Sequence, residues 1–588
     1  MEERVAAGRE RSGWATGSWG GSPNVGFKNS VKLHPTRCNI CLADWRSGLD
    51  AFCMIKFNPI RVSAILCVVL LAGAIARGAG AEEKSAPEKS AATPEKKADA
   101  KDAKDAKPED AKAKDDAKSV ATLPDAASKP VRITNTVTIA GSRVTYAAET
   151  GMLPLLKNDG ASRASVFYTA YTKLEETNKA ARPVMFCFNG GPGSSAVWLH
   201  LGGLGPRRAK LNDDGTMPPP PFGLADNEFS ILHATDLVFI DPVATGFSRP
   251  AKDEKAEQFF GQSGDIESIG DFIRLWTTRH QRWLSPKYLC GESYGVFRAA
   301  GLAEHLHTRY GMYLNGIVLL SGVLDFATLR EGPGNDLPSI VFLPAFTATA
   351  HYHKKLAADL QADLPKALAE SRAFAQGDYA LALLRGAALP AKERAKMVVK
   401  LARLTGLPAQ VIEDNDLQVD SGRFREMLLR DQGLILGRYD ARITGRDADK
   451  SSSQPRFDPS YAATLGPFSA AMNSYLREEL KFENDLPYEI LAGVGPWNYD
   501  ARNSYPSVAD RLGSVMSQNP YLRVLVLGGL RDLACPMDGI QYSLDHLTLD
   551  PALRKNISYA EFESGHMMYV NQPDLKKLQH DLETFVKP

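Results

Sequence analysis

The chain has 588 residues, 44% of them hydrophobic and 24% charged, enough apolar material for a large buried core. Seventy Lys and Arg against 69 Asp and Glu leave a net charge of +1, which gives no electrostatic footprint of a nucleic-acid or anionic-membrane binder. Of the seven cysteines only Cys187, Cys290 and Cys535 fall in the part read below as folded, each in a separate apolar or motif-bearing stretch, so no disulfide framework is expected.

Residues 1–53 carry scattered Gly, Trp and Arg and no periodic pattern, and Cys38-x-x-Cys41 has no second ligand pair to complete a metal site. From Met54 the order changes to Lys56 and Arg61, an apolar run from Val62 to Ala76, and Ala79-Gly80-Ala81 before Glu82. That is a charged start, an apolar stretch too short to span a bilayer and a small-residue cleavage site, so 54–81 reads as an export signal. Met54 is then the expected start, with 1–53 an upstream extension that carries no fold, and the mature protein is expected in the periplasm or outside the cell without stable membrane insertion. Residues 82–130 are Ala, Lys, Asp, Glu and Pro with no aromatic residue, a composition that cannot offset chain entropy and reads as a solvated linker.

The folded domain is expected over 131–588. Alternating β-branched residues at Ile133–Ile139, a turn at Ala140-Gly141-Ser142 and a return through Tyr146 predict a hairpin at an antiparallel edge. A further strand is expected over 165–171. Pro183–Phe188 is a continuous apolar run of the kind buried on both faces, and it ends in Asn189-Gly190-Gly191-Pro192-Gly193-Ser194-Ser195. A Gly-rich loop leaving such a strand lets backbone N–H groups converge on a small anion, so it is the candidate for half of an oxyanion hole. The phosphate-loop alternative lacks a following Gly-Lys-Ser/Thr. Asp236–Ile240 is another buried strand, and helical periodicity fills 266–283.

Tyr288-Leu289-Cys290-Gly291-Glu292-Ser293-Tyr294-Gly295 then reads as a strand, a tight turn and a helix with Ser293 at the apex. G-x-S-x-G in that setting is a nucleophile elbow, in which side chains larger than glycine would collide with the neighbouring strand and helix. Gly316–Leu320 is the next strand. From about 331 to 500 the pattern turns to helical stretches, including 353–372 and 391–404, which read as a cap inserted over the sheet. Strands resume at Arg523–Gly529, ending near Asp532, and at Ile557–Phe562, ending near His566. Alternating strand and helix predict a mostly parallel central sheet wrapped on both faces, with an inserted helical cap, and the order of the candidates that follow is that of an α/β-hydrolase fold. Ser293, Asp532 and His566 appear in the order that this fold uses for nucleophile, acid and base; Asp538, beyond Pro536, is the rival acid. Cys290 and Cys535 are expected to be core thiols. No cofactor and no metal are expected.

With these pieces in register over about 189–568, the chain resembles the serine carboxypeptidase family, whose members include carboxypeptidase Y and cathepsin A, and its bacterial branch looks closest. The matching residues are Asn189–Ser195, Leu204-Gly205-Pro206, Asp241-Pro242 through Ser248, Gly291–Gly295, Asp532 with Cys535, and Gly565-His566-Met567. The resemblance implies a peptidase that removes C-terminal residues through an acyl-enzyme, with Ser293, Asp532 and His566 as triad and the N–H groups of Gly191 and Tyr294 as oxyanion hole. It also implies that Asn189, Gly190, Glu292 and Met567 meet a peptide substrate with a free C-terminus, Asn189 and Glu292 at its carboxylate. Two positions depart from the pattern. Ser194 stands where the family has a cysteine, and Gly203 where it has a second glutamate, which leaves Glu292 and Asn189 to hold the carboxylate with a cation such as Arg207 as a candidate aid. The same triad serves an esterase or acyltransferase, and a binding protein that has lost activity is the reading from another class.

Overall fold

A computed structural model describes residues 129–587 apart from 177 and 450. The extension over 1–53 with its cysteine pair, the export signal over 54–81 and nearly all of the linker lie outside the described residues.

The strands form where β-branched and aromatic residues are concentrated. They are β1 (Val131–Ile139), β2 (Ser142–Leu156), β3 (Ser162–Lys173), β4 (Val184–Phe188), β5 (Asp236–Ile240), β6 (Lys287–Glu292), β7 (Gly316–Leu320), β8 (Arg523–Gly529) and β9 (Ile557–Phe562). They lie side by side as β1-β2-β3-β5-β4-β6-β7-β8-β9, and a two-residue strand, Arg249–Pro250, also pairs with β3. The expected hairpin is β1 and β2, in register from Ile139 opposite Ser142 to Val131 opposite Thr150. β2, β3 and β5 continue antiparallel, and from β5 onward every neighbouring pair is parallel.

Because side chains alternate across a strand, the continuous apolar runs feed two separate cores. Met185, Cys187, Tyr288, Cys290, Val318, Leu320, Leu525 and Leu527 point to one face. Val184, Phe186, Phe188, Leu289, Ile317, Leu319, Val524 and Val526 point to the other. The second face is covered by α1 (Gln262–Arg279) and α2 (Tyr294–Tyr310), whose Ile266, Ile269, Ile273, Val296, Phe297 and Leu302 are fully buried. Each such side chain contributes roughly 1.5–3 kcal/mol of transfer free energy.

The insertion between β7 and β8 has two parts. Helices α3 (Leu337–Tyr352) and α4 (Ala391–Thr405), with the short helices between and after them, bury their own core around Phe346, Leu360, Leu404 and Phe424. By contrast, α5 (Pro459–Ser474) sends Phe468, Ala471 and Met472 into the first core of the sheet. The helix read over 353–372 is broken in the structure. α3 stops at Tyr352, a turn and the short helix Ala358–Gln361 follow, and a new helix over Leu364–Phe374 is capped by Asp363, whose carboxylate accepts from the Lys366 N–H at 3.0 Å. Asp363 at the cap with Pro365 in the first turn is a start signal that the apolar spacing alone does not reveal. The helix read over 266–283 likewise runs from Gln262 to Arg279. Two helices complete the face that α1 and α2 cover, α6 (Ala509–Gln518) and α7 (Met537–Asp545). The C-terminal helix α8 (Gln572–Val586) closes the opposite face with Leu575, Leu578, Leu582 and Phe585. Among the described residues no helix is long and apolar enough to cross a membrane.

One buried ion pair ties these layers to the Gly-rich loop. Arg298 of α2 donates through Nε to Asp265 of α1 at 2.7 Å and through Nη1 to the Asn189 carbonyl at 2.5 Å, with both charged side chains almost wholly out of water. Burial pushes the Asp265 carboxyl up from its ordinary range, with the Arg298 charge opposing it. Removing one partner of such a pair leaves an uncompensated buried charge. Arg298→Met is therefore expected to destabilise the protein by about 3–5 kcal/mol in urea unfolding at neutral pH. A loss below about 1 kcal/mol would show that the pair does not hold the layers together.

Candidate active site

The strand β6 ends at Glu292 and α2 begins at Tyr294, which leaves Ser293 alone to make the turn. It does so at φ 62° and ψ −127°, a backbone conformation that side chains rarely adopt and that is retained here because its surroundings over-determine it. A Cβ at Gly291 would lie 2.1 Å from the Gly295 carbonyl oxygen, so the strand and helix meet backbone to backbone. A Cβ at Gly190 would lie 2.3 Å from the Tyr294 nitrogen, so the Gly-rich loop is pressed against the same turn. Tyr294 is the first residue of its helix, and its N–H therefore has no carbonyl one turn earlier to bond.

His566 and Asp532 come from neighbouring strand ends. The His566 ring bonds through Nδ1 to Asp532 Oδ2 at 2.7 Å, with the N–H donating because an ionised carboxylate only accepts. Asp532 is fully buried, and its other oxygen accepts from the N–H groups of Ala534 at 2.7 Å and Cys535 at 2.9 Å. The two loops are bonded to each other, Arg531 N–H to Ser564 O at 3.0 Å, and Ser564 is held by Asp574 of α8 through both its N–H and its hydroxyl. Burial acts to lower the His566 pKa, but the charge and hydrogen bond of Asp532, with Glu292 beyond, outweigh it and the net shift is upward. Ser293 and His566 line the same cavity, and no hydrogen bond joins them among the described residues; such contacts are commonly long before substrate enters. The rival acid is elsewhere: Asp538 is held by Arg372 at 2.8 Å.

That cavity, about 100 Å³, is lined by Asn189, Gly190, Gly191, Glu292, Ser293, His566 and Met567. The sequence-derived residues thus come together, with Asp532 behind His566 and the Tyr294 N–H at the elbow. Ser194 of the Gly-rich loop lines the cavity too, and further lining residues were not legible: Trp198 beside that loop, Leu491 at the end of the insertion, and Arg438, Tyr439 and Tyr461 within it. Ser194, where a cysteine was expected from the resemblance, accepts a hydrogen bond from Trp198 Nε1 at 3.0 Å. Cys187, Cys290 and Cys535 are free and buried. Burial first, then the Asp532 charge, pushes the Cys535 thiol well above its ordinary range, so it is not a thiolate.

Glu292 is buried against the candidate nucleophile. Tyr569 Oη donates to both of its carboxyl oxygens, at 3.0 and 2.8 Å. Burial raises its pKa to about 7, against the opposing effects of His566, Tyr569 and Asn189. Tyr569 also accounts for Gly203, because a Cβ there would lie 2.8 Å from the Tyr569 Cβ. The phenol ring occupies the ground beside Gly203, and its hydroxyl reaches Glu292. Arg207 does not assist: it is engaged by Asp226 and by Glu479 at 2.6 Å, and it does not line the cavity.

The family model described as serine carboxypeptidase matches residues 142–576. Serine carboxypeptidase-like 2 of Arabidopsis thaliana is 30% identical over 193 residues, 31% of this chain and 41% of that protein. Serine carboxypeptidase-like 3 of the same plant is 29% identical over 190 residues, again 31% of this chain and 41% of that protein. The matched stretch thus spans about two fifths of the length of these relatives. Among solved structures, the prohormone-processing carboxypeptidase Kex1(delta)p of Saccharomyces cerevisiae aligns over 75% of this chain and 91% of its own at 17% identity and a TM-score of 0.47. With the family model covering most of its length, the chain belongs to the serine carboxypeptidase family, peptidase S10.

Proposed function

We propose that this protein is an exported serine carboxypeptidase, and the observation that carries the reading is Glu292. A carboxyl that holds its proton to about pH 7 stands in the cavity of the candidate nucleophile, with Asn189 at hand. A protonated carboxyl donates to a free carboxylate, whereas an ionised one repels it, so the pocket suits a substrate ending in a carboxylate better than a neutral ester or amide. Export rests on the pattern over 54–81.

In this mechanism Ser293 Oγ attacks the carbonyl of the last peptide bond while His566 Nε2 takes its proton. Asp532 fixes the tautomer and steadies the imidazolium. The Gly191 and Tyr294 N–H groups receive the tetrahedral oxyanion. The C–N bond then breaks, His566 returns the proton to the departing amine, and the free amino acid leaves an acyl-Ser293. Water attacks that ester with His566 again as base, and the shortened peptide departs.

Ser293→Ala is expected to abolish turnover of an N-blocked dipeptide, and Asp532→Asn to lower kcat by roughly 10⁴ with the fold intact by circular dichroism. Asp538→Asn should leave kcat within a fewfold of wild type. If Asp538→Asn were the crippling change, the assignment of the acid would be wrong.

The pH profile tests Glu292 separately. His566 must be neutral to act and imposes its own limb, but this cancels in the ratio of kcat/KM for a blocked dipeptide acid to that for its amide. The ratio should be high at pH 5 and fall as pH rises through about 7, where Glu292 loses its proton. Glu292→Gln should flatten it. Tyr569→Phe removes a donor that favours the ionised form, so the fall should move to higher pH. An amide preferred over the acid at every pH would overturn the carboxypeptidase reading in favour of an esterase or another exopeptidase.

A further inference from the structure

Resting on that reading, we propose that Arg438 of the inserted region is a substrate-binding residue that takes a carboxylate of the residue being released, and so sets which C-termini the enzyme accepts. Three observations converge on it. First, Arg438 lines the cavity, is exposed, and among the described residues its guanidinium has no hydrogen bond and no ion pair. Its recorded side-chain contact is the face of Tyr439, 5.5 Å from the ring centroid. Other arginines that bridge the insertion are engaged, Arg372 by Asp538 and Glu561 and Arg442 by Asp440. A guanidinium with five donors in a fixed fork, left open at the wall of a pocket, suits a bidentate carboxylate.

Second, its backbone is held in place by the loops that carry the catalytic candidates. Leu533 N–H donates to the Arg438 carbonyl at 3.0 Å, Arg438 N–H donates to Asp458 at 3.0 Å, and His566 N–H donates to the Tyr439 carbonyl at 2.5 Å. The segment is thus fixed to the acid and base loops, so the backbone that carries the guanidinium needs no ordering when a ligand binds.

Third, its position selects one side of the substrate. The Tyr439 ring lies 5.2 Å from the His566 ring and the Arg438 guanidinium lies over that same tyrosine. His566 gives its proton to the leaving amine, so the departing residue must sit on the His566 side of the scissile bond. Arg438 therefore faces the released residue, which offers two sources of the same chemistry, its main-chain carboxylate and an acidic side chain.

The test measures binding rather than turnover. Ser293→Ala protein is titrated calorimetrically with acetyl-Phe-Glu, acetyl-Phe-Gln and the C-terminal amide of each, with and without Arg438→Gln or Arg438→Lys. Arg438→Gln should weaken carboxylate ligands by about tenfold or more, the range of a hydrogen bond to a charged group. It should leave the matched neutral ligand within about twofold, and Arg438→Lys should restore part of the loss. A loss confined to Glu over Gln assigns the side-chain carboxylate, and one confined to acid over amide assigns the terminus. Equal weakening of all four ligands, no weakening of any, or no binding of a carboxylate ligand at millimolar concentration would overturn the proposal. Failure of the carboxypeptidase reading shows differently, as wild-type protein that leaves these dipeptides uncleaved while the Ser293→Ala protein still binds them in an Arg438-dependent way.

Discussion

At the centre of the molecule, backbone meets backbone more closely than any side chain allows. The nitrogen of Tyr294 lies 2.3 Å from where a Cβ of Gly190 would stand, and the Gly295 carbonyl oxygen 2.1 Å from where one of Gly291 would. These contacts bring the end of β4 and the turn after β6 to one point and hold Ser293 at a positive φ. The sheet supplies the rigidity. Cys187 and Cys290 stand opposite each other in adjacent parallel strands, both completely buried, so the loops that follow leave the sheet side by side. Arg298 then fastens the Asn189 carbonyl to α2 and, through Asp265, to α1.

The second constraint is charge in a place without water. Asp532, His566 and Glu292 are all almost fully buried within one neighbourhood, and two carboxylates beside one imidazole are tolerable only if protons are shared out unequally. Asp532 accepts hydrogen bonds from two backbone N–H groups and from the histidine. At Glu292 burial outweighs the opposing effects of His566, the Tyr569 hydroxyl and the Asn189 amide, and raises its pKa to about 7. Gly203 and Tyr569 are two sides of one solution, since the Tyr569 Cβ would lie 2.8 Å from a Cβ at 203 while its ring delivers the hydroxyl to Glu292.

Much of this was legible because it is local. Continuous apolar runs gave the strands β4 to β8, since a strand buried on both faces has no polar alternation to confuse, and G-x-S-x-G fixed the elbow because its glycines answer to backbone contacts one turn apart. Chain order then singled out Asp532 and His566, which are bonded at 2.7 Å, while Asp538 pairs with Arg372. What stayed hidden depends on contacts across long sequence separations. Arg438 and Tyr439 meet His566 only through a fold-back of more than 120 residues, Tyr569 reaches Glu292 across 277, and nothing in their own neighbourhoods marks them. The broken helix after Tyr352 was missed for a different reason: apolar spacing persists through the break, and only the cap at Asp363 reveals it.

The account stands or falls on whether the close approach at Gly190 builds a reactive Ser293. A fluorophosphonate probe with mass-spectrometric mapping measures this directly, comparing wild type with Gly190→Ala. The wild-type adduct is expected on Ser293 alone, and Gly190→Ala, which forces the Tyr294 backbone away from the loop, should label about 10²–10³ times more slowly, the usual cost of losing an oxyanion donor. An adduct on another residue, or a Gly190→Ala protein that labels at the wild-type rate, would contradict it.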